Sequence, residues 1–150
     1  MAFVDRYLPA LLTQAAHQLV GSFTDVVRSH RLSVLEWRVL ATLADNDAMS
    51  VGQLARHAAT KQPTLTRLLV RMAQQGHVER GEHGKDRRLT LVRVTPTGRA
   101  LAWKLMEQAE AQQRTALQSF GPERLQQLEE LLRLLIDQHG TSADVAGSLV

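Results

Sequence analysis

The sequence predicts a mainly α-helical protein carrying one small β-hairpin, and three features support this. Apolar residues recur at helical spacing along most of the chain, most clearly Leu65, Leu68, Leu69 and Met72 at i, i+3, i+4 and i+7. A β-rich run, Leu89-Thr90-Leu91-Val92-Arg93-Val94, follows a loop with two glycines and a shorter strand signal at His77-Val78-Glu79-Arg80. With 44% hydrophobic and 22% charged residues and no cysteine, the chain must fold around an ordinary core. Disulfides, thiolate zinc sites and cysteine nucleophiles are excluded together.

Taken in order, residues 5–29 predict a first helix whose wide apolar stripe runs through Leu8, Leu11, Leu12, Ala15, Leu19, Phe23, Val26 and Val27. Ser33-Val34-Leu35-Glu36 is a capping box that starts a second helix, which runs to about Ala44 and breaks at Asp45-Asn46-Asp47. Ser50-Val51-Gly52-Gln53 is a weaker box opening a short helix through Leu54, Ala55 and Ala58. After the tight connection Ala59-Thr60-Lys61 comes a helix over residues 62–75, with Pro63 tolerated in its first turn and Gly76 placed as its C′ residue. Two short helices joined by such a turn make a helix-turn-helix. The hairpin over residues 77–94 then forms a wing with a basic tip.

Thr95 predicts the N-cap of a long helix with Pro96 at its first position, and Gly121-Pro122 ends it and starts the next. In that last helix Leu125, Leu128, Leu132 and Leu135 form a seam widened by Leu131, Leu134 and Ile136. This stripe and that of the first helix are more apolar than a lone surface helix needs. The expected divisions are residues 1–32 as an N-terminal association helix, 33–98 as the winged helix-turn-helix, 99–138 as C-terminal association helices and 139–150 as a flexible tail.

The net charge of +3 conceals a segregation of sign. Residues 50–100 hold ten Lys and Arg against three acids, while the rest of the chain holds eight bases against twelve acids. Between Asp47 and Glu79 there is no acidic residue at all. A middle third of this kind suits a polyanion, and double-stranded DNA is the natural partner of an exposed second helix in a helix-turn-helix. No apolar run approaches the roughly 18 to 20 residues a membrane span needs. The start, Met1-Ala2-Phe3-Val4-Asp5-Arg6, lacks the order of a secretion signal, so a cytoplasmic protein is expected.

The chain resembles the MarR family of bacterial transcriptional regulators over nearly its whole length. The residues that carry the resemblance are Gln62-Pro63-Thr64-Leu65-Thr66-Arg67-Leu68-Leu69, Gly76-His77-Val78-Glu79-Arg80, Asp86-Arg87-Arg88 and Leu91-Val92-Arg93-Val94-Thr95-Pro96-Thr97-Gly98. The resemblance implies a ligand-responsive repressor acting as a homodimer on a pseudo-palindromic operator. The dimer would be held by the terminal helices, with Leu8, Leu11, Leu12, Leu125, Leu128, Leu132 and Leu135 as contact residues. It also implies that Asp86 and Arg88 form an ion pair that orients the wing.

Roles follow from side-chain chemistry. Thr60, Lys61 and Thr64 surround a helix start that favours phosphate, and Ser50 and Gln53 at the preceding helix start are candidates for a second phosphate clamp. Gln62 and Arg67 suit bidentate contacts to adenine and guanine, with Thr66 and Arg71 on the same helix and Lys85 at the wing adding to the footprint. Arg87 and Arg88 are both candidates for the adjacent minor groove, and the sequence leaves the choice open.

The family often binds small aromatic or anionic effectors between its dimer helices and its DNA-binding lobe. Here His17, Phe23, Trp37, Arg38 and Trp103 are the candidates to line such a crevice, against the plainer reading that the tryptophans are core anchors and Arg38 pairs with Asp45. Six histidines without i, i+4 pairing predict no metal site. The absence of a phosphate loop or a nucleophile elbow predicts no enzyme and no cofactor. A winged-helix module that binds protein instead of DNA would show an apolar or acidic recognition face, which Gln62, Arg67 and Arg71 oppose.

Overall fold

A computed structural model describes the backbone of residues 1–83 and 86–146, and the side chains of these except 82–88 and 141–146. A single 3-10 turn at Phe3–Asp5 precedes α1 (Leu8–Ser29), α2 (Val34–Ala44), β1 (Met49–Ser50), α3 (Val51–His57), α4 (Gln62–Gln74), β2 (Val78–His83), β3 (Asp86–Val94), α5 (Pro96–Ala116) and α6 (Pro122–Ala146). The chain divides into two units, residues 1–111 and 112–150.

In the first unit the core gathers Leu40, Leu43, Leu54, Leu65, Leu69, Met72, Val92 and Leu105, all fully buried. The predicted row on α4 is therefore its buried side, with Leu68 partly covered beside it. Of the predicted stripe on α1 only Phe23 and Val27 are buried, while Leu8, Leu11 and Leu19 lie 42–54% exposed. The lobe uses the last third of that helix and leaves the rest to solvent. α1 also begins at Leu8, later than residue 5, because Asp5 accepts from the Ala2 amide at 2.9 Å and closes a separate turn, after which Pro9 opens the helix.

The hairpin is longer than its sequence signal and gains a third strand. β3 lies between β1 and β2 in an antiparallel sheet, with Met49 opposite Val92 and Val78 opposite Val94. A two-residue strand has no periodicity to detect. β2 and β3 extend toward the tip through residues 81–83 and from residue 86, into the stretch 81–86 where a loop was expected, because cross-strand pairing continues past the apolar residues, with Gly81 opposite Leu91 and Glu82 opposite Thr90.

Local signals set most of the helix ends. Ser33 and Glu36 close the predicted box: the Ser33 amide donates to Glu36 Oε2 at 2.6 Å and the Glu36 amide donates to Ser33 Oγ at 3.1 Å. At the other end of α4, Gly76 adopts φ +77°, with its amide on the Ala73 carbonyl and the His77 amide on that of Met72, both at 3.0 Å. This is a Schellman cap. The Thr95 hydroxyl donates to the Gly76 carbonyl at 2.6 Å and accepts from the Gly98 amide at 3.0 Å, so one side chain caps α5 and fastens it to the end of α4. Gly98 packs so closely on the residue preceding β2 that a Cβ there would strike the His77 carbonyl.

In the second unit, α6 runs through Ala146, where a tail from residue 139 was expected. A lone glycine such as Gly140 costs a helix only about 1 kcal/mol, too little to stop one already propagating. Residues 147–150 lie outside the described residues. α5 ends at Ala116, before Phe120, and the Gly121 turn (φ +86°) leads into Pro122. Leu128, Leu131, Leu134 and Ile136 of α6 are 37–67% exposed.

One ion pair fixes how α4 is turned. Glu36 is 1% exposed, and its Oε1 accepts from Arg71 Nε at 3.0 Å and lies 2.9 Å from Arg71 Nη2. Removing the cation would leave a buried carboxylate unpaired, so Arg71→Ala should destabilise the protein by about 1–3 kcal/mol in denaturant unfolding. Gln can serve in a capping box as Glu does, and it carries no charge. Adding Glu36→Gln to Arg71→Ala should therefore recover part of the loss. If the double variant were less stable than Arg71→Ala alone, this account of the pair would fail.

Candidate nucleic-acid interface

α3 and α4 each bring their N-terminal turn to the surface. Ser50 caps α3, accepting from the Gln53 amide at 3.2 Å, while Gln53 Oε1 accepts from both the amide and the hydroxyl of Ser50 at 3.1 Å. The pair placed as a phosphate clamp is thus first a capping box, which leaves the Gln53 carboxamide N–H groups for a ligand. The turn that follows is tight: Ala59 adopts φ +52° and the Thr60 amide donates to the Ala55 carbonyl at 3.0 Å. That turn delivers Lys61, exposed, as the residue preceding α4.

No side chain caps the first turn of α4, and Pro63 contributes no N–H. The amides of Gln62 and Thr64 have no intrahelical partner in such a turn and carry the positive end of the helix dipole. Thr64 and Arg67, with Leu68 and Arg71, line a groove of about 260 Å³ along one flank. Thr66 is exposed, its hydroxyl donating to the Gln62 carbonyl at 3.0 Å, rather than turned to the edge of the core.

Two of the candidate DNA-contact residues, Arg71 and Gln62, also meet groups within the protein. Arg71 keeps 55% of its side chain exposed while its guanidinium is held by Glu36, so it also orients the helix. Gln62 is exposed, yet its Oε1 lies near Gly52, where a Cβ would meet it at 3.8 Å, so it leans toward α3 from the start of α4. Arg67 stays on the outward side, in a row with Pro63, Thr66 and Val70, all exposed. Sequence reasoning passed over Pro63 and Val70 because their side chains carry neither charge nor a hydrogen-bonding group. Arg99, counted in the basic block, instead donates to the Ala44 carbonyl at the end of α2. The side chains of Lys85, Asp86, Arg87 and Arg88 lie outside the described residues, and with them the wing ion pair and the minor-groove candidates.

The proposed effector residues separate into two groups. Phe23 and Trp37 meet edge to face with ring centroids 5.6 Å apart, Phe23 within the core and Trp37 against it. Trp103 is 56% exposed on α5, Arg38 is exposed on α2, and His17 lies along α1 in a groove with Leu11 and Gln14. Among the described residues no three His, Cys, Asp or Glu side chains converge on a metal site. No helix among them is long and apolar enough to cross a membrane.

Known proteins share this architecture. A profile of the MarR family matches residues 31–89. The chain is 33% identical over 129 residues to the homoprotocatechuate degradative operon repressor of Escherichia coli, covering 86% of this chain and 87% of that one. A MarR family transcriptional regulator from Silicibacter pomeroyi superposes with a TM-score of 0.79 at 36% identity, over 91% of this chain and 98% of its own. Bordetella bronchiseptica BpsR, whose DNA binding is regulated by 6-hydroxynicotinic acid, superposes at 0.79 with 26% identity, over 91% of this chain and 97% of its own. An outward face on α4 bearing Thr66 and Arg67, set in a winged helix-turn-helix and matched along nearly the whole chain, places this protein in the MarR family of transcriptional regulators.

Proposed function

We propose that the chain is a ligand-responsive repressor that binds a pseudo-palindromic operator as a homodimer, with α4 in the major groove. The observation that carries this reading is the state of α4: its apolar row is buried, its first turn is uncapped, and Arg67 stands outward. The basic balance of residues 50–100 supplies the attraction to phosphate, and Lys61, Thr60 and Thr64 surround the uncapped turn. Arg67 is the principal base reader, suited to a guanine edge.

The exposed apolar residues of α1, Leu8, Leu11 and Leu19, and those of α6, Leu128, Leu131 and Leu134, support association of two copies. Two-fold symmetry would then set the recognition helices about one DNA turn apart, roughly 34 Å. Sedimentation should give twice the 16.7 kDa of one chain. A monomer at micromolar concentration would overturn this part of the reading.

For the effector, a hydroxylated aromatic acid is the class the surroundings of Trp37 fit best. The Trp37 ring, edge to face with Phe23, offers an apolar partner, and Arg38, exposed on the same helix, a cation for a carboxylate. Regulation of BpsR by 6-hydroxynicotinic acid supports the same class. In a thermal-shift screen, a phenolic acid at 100 times its Kd should add about 2.7 kcal/mol of stability, and Trp37→Ala should lose that shift. No response from a panel of such acids would remove this class.

DNA binding itself is tested by titrating duplexes from the protein's own promoter region across salt concentrations. Arg67→Ala should cost about 1–3 kcal/mol on the preferred duplex and relax its selectivity. Lys61→Ala should weaken binding to all duplexes alike and lower the salt slope by about 1. Unchanged affinity in Arg67→Ala would refute the docking of α4.

A further inference from the structure

Val70 stands on the outward face of α4 with 44% of its surface exposed. Pro63, Thr66, Arg67 and Val70 fall at i, i+3, i+4 and i+7, so they form one row, and all four are exposed. The row opposite, Leu65, Leu69 and Met72, is fully buried. Val70 is absent from the core and from the residues packed against it. Of its neighbours one turn before and after it, Thr66, Arg67 and Gln74 are polar and exposed, and Ala73 packs against the core. A β-branched residue is also a poorer helix former than the Arg, Gln or Ala that would suit a solvent position. Neither packing nor helix propensity accounts for a valine here.

We propose that Val70 determines specificity by reading the 5-methyl group of a thymine in the major groove. This rests on the reading that α4 enters that groove. Among the base edges exposed there, thymine alone offers an apolar group, and the others present hydrogen-bond donors and acceptors. An isopropyl group packed on thymine removes apolar surface from water. Set against adenine or guanine, it would cover polar atoms and leave them unpaired, so the same side chain attracts one base and penalises the others. Val70 lies three residues beyond Arg67, about 4.5 Å along the helix axis. One base-pair step is roughly 3.4 Å. The thymine therefore falls within about one or two base pairs of the guanine that Arg67 contacts.

The test begins by selecting preferred duplexes for the full chain from a randomised pool. Each thymine of one half-site is then replaced singly by deoxyuridine, which removes the methyl group and nothing else. At one thymine near the Arg67-dependent guanine, the replacement should weaken wild-type binding about 3- to 5-fold, the worth of one buried methyl. Val70→Ala should bind the two duplexes equally while keeping the wild-type melting temperature. If Val70→Ala melts lower, Val70→Thr, which keeps the branched shape but replaces one methyl with a hydroxyl, takes its place and should show a reduced difference. Selected duplexes that depend on Arg67, with no thymine whose methyl matters more to wild type than to the Val70 variant, would overturn this inference alone. Failure of any duplex to be enriched would overturn the docking of α4 and this inference with it.

Discussion

A buried carboxylate governs the geometry of the recognition surface. Glu36 divides its two oxygens, Oε2 to the Ser33 amide and Oε1 to Arg71, and so joins the first turn of α2 to the third turn of α4. Apolar contacts such as Leu40, Leu43, Leu65 and Leu69 supply most of the burial, but they are non-directional and tolerate rotation of a helix about its axis. A guanidinium held through both Nε and Nη2 is much less tolerant. Desolvation of Glu36 offsets much of the attraction, so the pair serves orientation more than net stability. With Arg71 held on one flank, Pro63, Thr66, Arg67 and Val70 face outward together.

The two ends of α4 are treated oppositely. Its C-terminus is closed by the Schellman cap at Gly76, and the Thr95 hydroxyl then binds the Gly76 carbonyl while Gly98 lets α5 pass against His77. Its N-terminus carries Lys61 where Ser, Thr, Asp or Asn would satisfy an amide. A helix built only for stability would be capped at both ends. Donors left open at the end that also bears Lys61 and Thr64 give up a modest amount of helix stability, and a phosphate bound there would recover it. The wing strands, anchored by Val78 opposite Val94 and Met49 opposite Val92, extend from the closed end.

What could be recognised from sequence was local. Capping boxes at Ser33 and Ser50, the glycine after α4, Thr95 before Pro96 and the row Leu65, Leu68, Leu69 and Met72 each lie within seven residues, and each appears where expected. The contacts that assign roles are not local. Arg71 reaches Glu36 across 35 residues and Arg99 reaches Ala44 across 55, so a count of basic residues could not tell an outward-facing cation from one facing a buried acid or a helix end. The same limit hid Val70, because an apolar residue on a polar face carries no charge signal until its exposure is known. β1 was hidden for another reason: two residues, Met49 and Ser50, gain strand character only from their partners Val92 and Leu91.

Stability and association draw on different residues of the same helices. The first unit completes its core with Phe23 and Val27, near the end of α1, and needs nothing from Leu8, Leu11 or Leu19. A solvent-facing position on a helix normally favours Lys, Glu, Gln or Arg, so a run of leucines there makes the isolated chain less soluble without making its lobe more stable. The same holds in α6, where Leu131, Leu134 and Ile136 are more than half exposed. Residues that stabilise neither their own lobe nor a solvated surface suit an association surface, and a second copy would also extend the reach of a helix as short as α4. At 13 residues it spans about 20 Å and reaches only a few base pairs, so selectivity over a long operator requires the row on α4 to be presented twice.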